Sequence, residues 1–124
     1  MTGEALVLVA DDDEDILELV KIRLERAGYA TVGARDGDEA LRLAVERRPD
    51  LCVLDLVMPK RTGSEVLAEL RVREETASIP VILLTATAQE RQEGALARAA
   101  DAYLTKPFRP GELEQRVRAL LDRG

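Results

Sequence analysis

Residues 6–20 read LVLVADDDEDILELV, an apolar run followed by an acidic run and a helical pattern. Its first part, Leu6–Ala10, is an apolar run with the length of a buried strand. The run leads directly into five consecutive acidic residues, Asp11 to Asp15. A helical pattern follows, with one predicted apolar face made by Ile16, Val20, Leu24 and Ala27. A strand followed at once by a helix is therefore predicted, although a helix start needs only one or two of those acids.

The alternation of strand and helix continues along the whole chain. The predicted strands are Leu6–Ala10, Thr31–Ala34, Leu51–Asp55, Val81–Thr85 and Ala102–Thr105. The predicted helices are Glu14–Ala27, a helix capped by Asp36 that runs to about Arg48, Ser64–Glu74, Gln89–Ala99 and Gly111–Arg123. Asp36 with Glu39 fits a capping box. Because the strands are apolar on both faces and alternate with helices, we expect a parallel sheet covered on both sides, an open doubly wound α/β fold forming one domain over residues 1–124.

Composition excludes several classes of function. The 124 residues suffice for one domain with a real core, and the net charge of −6 argues against non-specific binding to nucleic acid or to an anionic membrane. No apolar run approaches the roughly 20 residues of a membrane span, and the start lacks the features of a secretory signal. The single cysteine, Cys52, excludes an internal disulfide and fits a core thiol in a reducing cytoplasm.

Polar side chains stand where four of the five predicted strands end. Asp11 and Asp12 follow the first strand, Asp55 ends the third, Thr85 ends the fourth and Lys106 follows the fifth. The carboxyl ends of parallel strands lie along one edge of the sheet, where ligands bind in this fold class. Three carboxylates, a hydroxyl and an ammonium group should therefore converge there.

Such a cluster of acids indicates a divalent cation. Two like charges about 4 Å apart cost on the order of 1 kcal/mol in water and roughly 4 kcal/mol near a protein surface. Ligands that are oxygen atoms only favour Mg²⁺, or Mn²⁺, over Zn²⁺. Lys106 and Thr85 would then supply the charge and hydrogen bond that a phosphoryl group requires. One carboxylate remains as a nucleophile towards phosphorus.

The residues at these strand ends resemble the receiver domain of two-component response regulators over essentially the whole chain. The matching pieces are the pair Asp11–Asp12, Asp55 in VLDLVMPKRTG, Thr85 in LLTA, and Tyr103 with Lys106 in YLTKPF. The resemblance implies a flavodoxin-like sheet of strand order 2-1-3-4-5 with five helices. It also implies that Asp55 is the phosphoacceptor, that Thr85 and Tyr103 form a switch, and that Lys106 contacts the phosphoryl group.

The same resemblance implies the metal ligands and the partners. Asp12 and Asp55 would bind Mg²⁺ directly, Asp11 mostly through water, and the backbone carbonyl of Val57 would complete the protein ligands. The usual phosphodonor of the family is a phosphohistidine on a sensor histidine kinase or on a histidine phosphotransfer protein. The protein would catalyse only its own phosphorylation and dephosphorylation.

The surface expected to change on phosphorylation is formed by the helix Gln89–Ala99, the fifth strand and the helix Gly111–Arg123. It carries charges of both signs, and it could serve a downstream protein, a homodimer, or neither. Its charged residues include Arg98, Asp101, Glu112, Arg116 and Arg118.

Three alternatives remain at this point. The chain could be the receiver half of a longer DNA-binding regulator, although it contains no basic recognition element and should not bind DNA alone. A metal-dependent hydrolase of phosphate esters would usually carry a second acid two residues after the nucleophile, where this chain has Val57. A flavin-binding fold would need a Ser/Thr/Gly-rich phosphate loop where the acidic run stands.

Overall fold

The structure is a computed structural model, and it describes residues 4–86, 100–109 and 111–122. The strands are β1 (Leu6–Ala10), β2 (Ala30–Ala34), β3 (Leu51–Asp55), β4 (Val81–Thr85) and β5 (Ala102–Thr105). The helices within these ranges are α1 (Glu14–Arg26), α2 (Gly37–Arg47), α3 (Gly63–Val72) and α4 (Glu112–Leu121). The helix predicted from Gln89 to Ala99 lies outside the described residues. Among the helices that the structure describes, none is both long and apolar enough to cross a membrane.

All five strands are parallel and form one sheet in the order β2-β1-β3-β4-β5. This confirms the predicted doubly wound architecture. The central strand β3 is buried along its whole length, as is β4. Such continuous burial explains why these strands read as unbroken apolar runs.

Two apolar layers cover the sheet, one on each face. Helices α2 and α3 bury Leu41, Leu67 and Leu70 against one face. Helices α1 and α4 bury Leu24 and Val117 against the other. Since helices lie on both faces, a ligand is expected at the edge of the sheet where the strands end, as in other folds of this class.

The buried face of the first helix is wider than predicted. Val20 and Leu24 are buried as predicted and Ile16 packs partly buried against the same apolar layer, but Leu17, which was not predicted to face the core, is buried as well. Asp13 caps the helix and its carboxylate accepts from the backbone N–H groups of Asp15 and Ile16. The cap starts the helix at Glu14, as predicted, and packing against the strand residues Val7 and Val9 turns Leu17 inward.

Capping also decides where α2 and α3 begin. Asp36 caps α2 and accepts from Glu39 N–H, but the Glu39 carboxylate accepts from Arg35 N–H at 2.8 Å, so the predicted reciprocal box is incomplete. A full capping box forms instead between Thr62 and Glu65. Helix α3 therefore begins at Gly63, one residue before its predicted start.

Candidate functional site

The strand register brings the predicted site residues to one edge of the sheet. Ala10 lies opposite Leu54, and Thr85 lies opposite Thr105. The residues next along the chain, Asp11, Asp55 and Lys106, therefore meet beside the end of β4. This confirms the predicted convergence, although the residues are far apart in the sequence.

Three carboxylates form a tight cluster at this edge. One carboxylate oxygen from each of Asp11, Asp12 and Asp55 lies within 4.8 Å of the others. Asp11 and Asp55 are buried, whereas Asp12 is exposed. An all-oxygen set of this kind fits Mg²⁺, which binds to one or two carboxylates and keeps several waters.

Lys106 reaches into the cluster from the end of β5. Its Nζ lies 2.9 Å from Asp11 Oδ2 and 3.3 Å from Asp55 Oδ2. Its backbone N–H donates to Thr85 O at 2.7 Å, which fixes the start of the loop after β5. Burial alone would lower the pKa of Lys106, but the hydrogen bond to Asp11 and the charges of Asp55 and Asp11 raise it. The side chain is therefore a permanent cation at the site.

Asp11 has both carboxylate oxygens engaged within the protein. Oδ1 accepts from Asp13 N–H at 3.0 Å, and Oδ2 accepts from Lys106. Asp11 is almost completely buried, at 1% exposure. Of the five acids in the run, Asp13 caps α1, Glu14 and Asp15 lie in its first turn, and only Asp11 and Asp12 belong to the cluster.

The Asp55 carboxyl group is electrostatically disfavoured as an anion. Burial and the neighbouring Asp11 charge raise its pKa to about 6, and Lys106 offsets only part of this. At neutral pH the group is still mostly ionised. A pKa perturbed by burial and by a specific charged neighbour is common at functional sites.

The Thr85 hydroxyl is buried and has no hydrogen-bond partner among the described residues. A buried hydroxyl without a partner costs about 1–3 kcal/mol. Thr85 lies at the end of β4, between the strands that carry Asp55 and Lys106. On β5, Tyr103 is partly buried and packs against the apolar layer that also contains Leu83. Thr85 can thus donate to a group that enters the site.

Val57 lies in the loop of residues 56–62, and its side chain is 64% exposed. Two glycines contact this loop closely, and the sequence patterns did not predict either contact. A Cβ atom on Gly63 would stand 2.5 Å from Asp55 O, and one on Gly37 would stand 2.2 Å from Arg61 O. The capping box of Thr62 and Glu65 could have indicated that α3 begins at Gly63, beside the end of β3. The contact of Gly37 with Arg61 joins distant parts of the chain and has no local signal.

The family model described as "Response regulator receiver domain" matches residues 7–118. The regulator PhoP of Bacillus subtilis, named for alkaline phosphatase synthesis, is 44% identical over 94% of this chain and 48% of its own length. The DNA-binding regulator RpaA of Synechocystis is 49% identical over 94% of this chain and 49% of its own length. The chain therefore spans about half the length of these curated relatives.

Among solved structures, the response regulator TrrA of Thermotoga maritima superposes with a TM-score of 0.86 at 37% identity, covering 94% of this chain and 98% of that one. That structure is a complex with Mg²⁺ and BeF. These findings favour the receiver interpretation over the hydrolase and flavin-binding alternatives. The chain belongs to the receiver domain family of the two-component response regulators.

Proposed function

We propose that this receiver domain accepts a phosphoryl group on Asp55 in a reaction that needs Mg²⁺. The observation that carries the proposal is the position of Lys106 Nζ, 2.9 Å from Asp11 and 3.3 Å from Asp55. A cation held between two buried carboxylates is placed to stabilise further negative charge beside Asp55. The Thr85 hydroxyl, which lacks a partner within the described ranges, supplies a donor for a phosphoryl oxygen.

The reaction is a displacement at phosphorus. An Asp55 carboxylate oxygen forms the new O–P bond while the P–N bond of a phosphohistidine breaks, and its electron pair stays on the imidazole nitrogen, which takes up a proton. Lys106 neutralises charge on the transferred oxygens, and Thr85 donates a hydrogen bond once the group has arrived. The domain thus catalyses its own phosphorylation and the later hydrolysis of the acyl phosphate.

Asp12 and Asp55 are proposed as direct Mg²⁺ ligands, with the Val57 carbonyl as the third protein ligand. Asp11 would act mostly through water, since both of its carboxylate oxygens already accept hydrogen bonds. The bound cation would relieve the repulsion among the carboxylates and polarise the phosphoryl oxygens. Mn²⁺, which also prefers oxygen ligands, should substitute. The Mg²⁺ and BeF held by TrrA support this assignment.

Incubation with Mg²⁺ and a small phosphodonor such as acetyl phosphate should give a phosphoprotein that is stable in acid and labile in base. Stability in acid distinguishes an acyl phosphate from a phosphohistidine, and cleavage by neutral hydroxylamine distinguishes it from a phosphoserine. Chelation of the metal should abolish labelling, and added Mn²⁺ should restore it. Phosphoprotein formation at the same rate in excess chelator would refute the metal requirement.

The physiological donor is proposed to be a sensor histidine kinase or a histidine phosphotransfer protein. An apolar groove between α1 and the start of the loop after β5 lies directly beside Lys106. Its lining includes Ile16, Leu19, Val20, Pro107 and Phe108. Leu19 is 48% exposed although it is apolar. Such a surface next to the acceptor fits a protein donor whose helix presents the phosphohistidine to Asp55.

Leu19→Arg should slow phosphotransfer from the cognate kinase by about tenfold or more, because a buried unpaired charge would enter the docked surface. Labelling by acetyl phosphate should be unchanged, since the substitution leaves the carboxylate cluster intact. Val72→Arg is the matched control, because Val72 is 78% exposed and lies at the end of α3. Equal transfer rates for the wild type and Leu19→Arg would place the donor elsewhere.

Thr85 and Tyr103 are proposed to transmit phosphorylation to the surface around β5. Phosphorylation adds about −1.5 to −2 charge and three acceptor oxygens at Asp55. Thr85 would turn toward a phosphoryl oxygen, and Tyr103 would move into the space beside β4. Of the predicted response surface, β5 and α4 are described, whereas the segment of residues 87–99 is not. A downstream protein or a second copy of the chain would read this surface.

Beryllofluoride with Mg²⁺ should mimic the phosphoryl group and shift NMR resonances around Tyr103 in the wild type. In Thr85→Ala the mimic should still bind, but the shifts around Tyr103 should largely disappear. Thr85→Ser keeps the hydroxyl and should retain them. Equal shifts in the wild type and Thr85→Ala would show that Thr85 does not transmit the signal.

The relatives support a wider role for the protein that contains this domain. PhoP and RpaA are transcriptional regulators about twice the length of the aligned region. We infer that residues 1–124 form one receiver domain that acts in the cytoplasm, and that a DNA-binding region belongs to the full regulator. DNA binding would then reside outside this domain, whose net charge is −6.

A further inference from the structure

The loop of residues 56–62 carries the Val57 carbonyl, and it is held firmly at both of its ends. Leu56 N–H donates to Leu84 O at 2.9 Å, and Gly63 N–H donates to Leu56 O at 2.8 Å. Met58 is buried in the apolar layer beneath α2 and α3. These contacts fix Leu56, the Met58 side chain and the junction with α3. The backbone that carries the Val57 carbonyl therefore also depends on how the outer part of the loop, residues 59–61, is held.

The N-terminal turn of α2 holds that outer part through its backbone. Gly37 N–H donates to Pro59 O at 3.1 Å, and Pro59 O also accepts from Arg61 N–H at 2.7 Å. The two segments touch so closely that a Cβ atom on Gly37 would lie 2.2 Å from Arg61 O and 2.7 Å from its carbonyl carbon. Only glycine permits this approach.

Two ion pairs flank the backbone contact. Lys60 Nζ lies 3.6 Å from Asp36 Oδ2, and Arg61 Nε donates to Asp38 Oδ1 at 2.7 Å. Lys60 has a φ of +70°, which the two neighbouring contacts hold in place. Exposed ion pairs of this kind contribute little individually. The glycine contact is therefore the main element, and the ion pairs are auxiliary.

We propose that residues 36–38 are positioning residues for the metal site, which they serve by clamping the loop that presents the Val57 carbonyl. The inference rests on the proposed Mg²⁺ site. Mg²⁺ demands near-ideal octahedral geometry, so a carbonyl ligand on a surface loop must be held within a few tenths of an ångström. Mg²⁺ binding should then stabilise the contact between residues 36–38 and the loop, and this contact should strengthen Mg²⁺ binding, because coupling between two sites is reciprocal.

The first test measures Mg²⁺ affinity by NMR titration of the 124-residue chain. Gly37→Ala should weaken binding about tenfold or more, because its neighbour lies in a loop that can shift and carry the carbonyl away. Gly33→Ala is the matched control, since its Cβ would meet only the flexible side chains of Lys21 and Leu17 at 3.3 Å or more. The control should bind Mg²⁺ within about twofold of the wild type.

The ion pairs provide a second test that does not depend on the glycine. Asp38→Asn and Arg61→Gln should each weaken Mg²⁺ binding about twofold, and the charge swap Asp38→Arg with Arg61→Asp should restore it.

Hydrogen exchange provides a third test. Mg²⁺ should slow exchange of the Gly37 amide, but not that of the Arg48 amide, which donates to Ala44 O at the far end of α2.

The outcomes separate the two proposals. If the wild type does not bind Mg²⁺, the proposed function itself is wrong. If the wild type binds and a folded Gly37→Ala binds equally well, the clamp does not position the ligand. If circular dichroism shows that Gly37→Ala is unfolded, hydrogen exchange of the Gly37 amide in the wild type takes its place as the test. Exchange that Mg²⁺ does not slow would overturn the inference.

Discussion

Asp55→Asn should eliminate phosphorylation by acetyl phosphate while leaving the domain folded. The amide has the shape of the carboxylate but lacks the charge and the nucleophilic oxygen. Lys106 would keep its partner Asp11 at 2.9 Å, so the site should not collapse. Asp15→Asn is the control, because this acid belongs to the same run but lies in the first turn of α1. Labelling of Asp55→Asn at the wild-type rate would exclude Asp55 as the acceptor.

The same substitution should stabilise the metal-free protein. Burial and the Asp11 charge raise the pKa of Asp55 to about 6, above its ordinary value of 3.8. The folded protein therefore binds a proton on this group more readily than the unfolded chain. Its free energy of unfolding should rise as the pH falls through 6 and level off below about 4. At pH 7 the ionised group costs about 3 kcal/mol, since each pKa unit corresponds to about 1.4 kcal/mol, and Asn would recover this free energy.

Urea denaturation in the presence of a chelator measures both effects. The wild type should gain stability between pH 7 and pH 5, whereas Asp55→Asn should lose most of that dependence. Mg²⁺ should stabilise the wild type at pH 7 and have little effect on the variant, because a direct ligand is missing. A variant less stable than the wild type at pH 7 without metal would contradict the electrostatic account.

Gly63→Ala should have the largest effect on stability. The added Cβ would stand 2.5 Å from Asp55 O and 3.0 Å from Leu56 Cα. These atoms belong to the end of the central strand, which is buried along its length and cannot shift without breaking its ladder. We expect a loss of about 3 kcal/mol or more, with a fall in Tm on the order of 10 °C.

Thermal unfolding checks this expectation, with Ser64→Ala as the neighbouring control. The control removes one hydroxyl from a partly buried position and should change stability by less than about 0.5 kcal/mol. Any folded Gly63→Ala protein should also bind Mg²⁺ weakly, since Asp55 would be displaced. A wild-type Tm for Gly63→Ala would show that the backbone yields there without cost.

Much of the fold was predictable because its signals are local. The strand Leu51–Asp55 follows Asp50 as a run of four apolar residues that ends in Asp55, and this acid was predicted to belong to the site. Convergence of Asp11, Asp55 and Lys106 followed from one rule about parallel strands. Chemistry that depends on strand ends is therefore accessible to sequence reasoning in this class of fold.

The errors arose where tertiary contacts or capping compete with periodicity. Ile16 packs against the core as predicted, but Leu17 is buried beside it because α1 packs on β1 over a wider face than periodicity indicates. The contact of Gly37 with Arg61 joins segments more than twenty residues apart, and no local pattern records it. Glycines that allow two backbone segments to approach closely were therefore not predicted from the sequence.

The most direct test of the central claim is chemical trapping of the phosphorylated residue. Borohydride reduces an aspartyl phosphate to homoserine, which peptide mass spectrometry can locate in the chain. After incubation with Mg²⁺ and acetyl phosphate, homoserine should appear at position 55, and none should form when the metal is chelated. Homoserine at position 11 or 12, with position 55 still aspartate, would contradict the central claim.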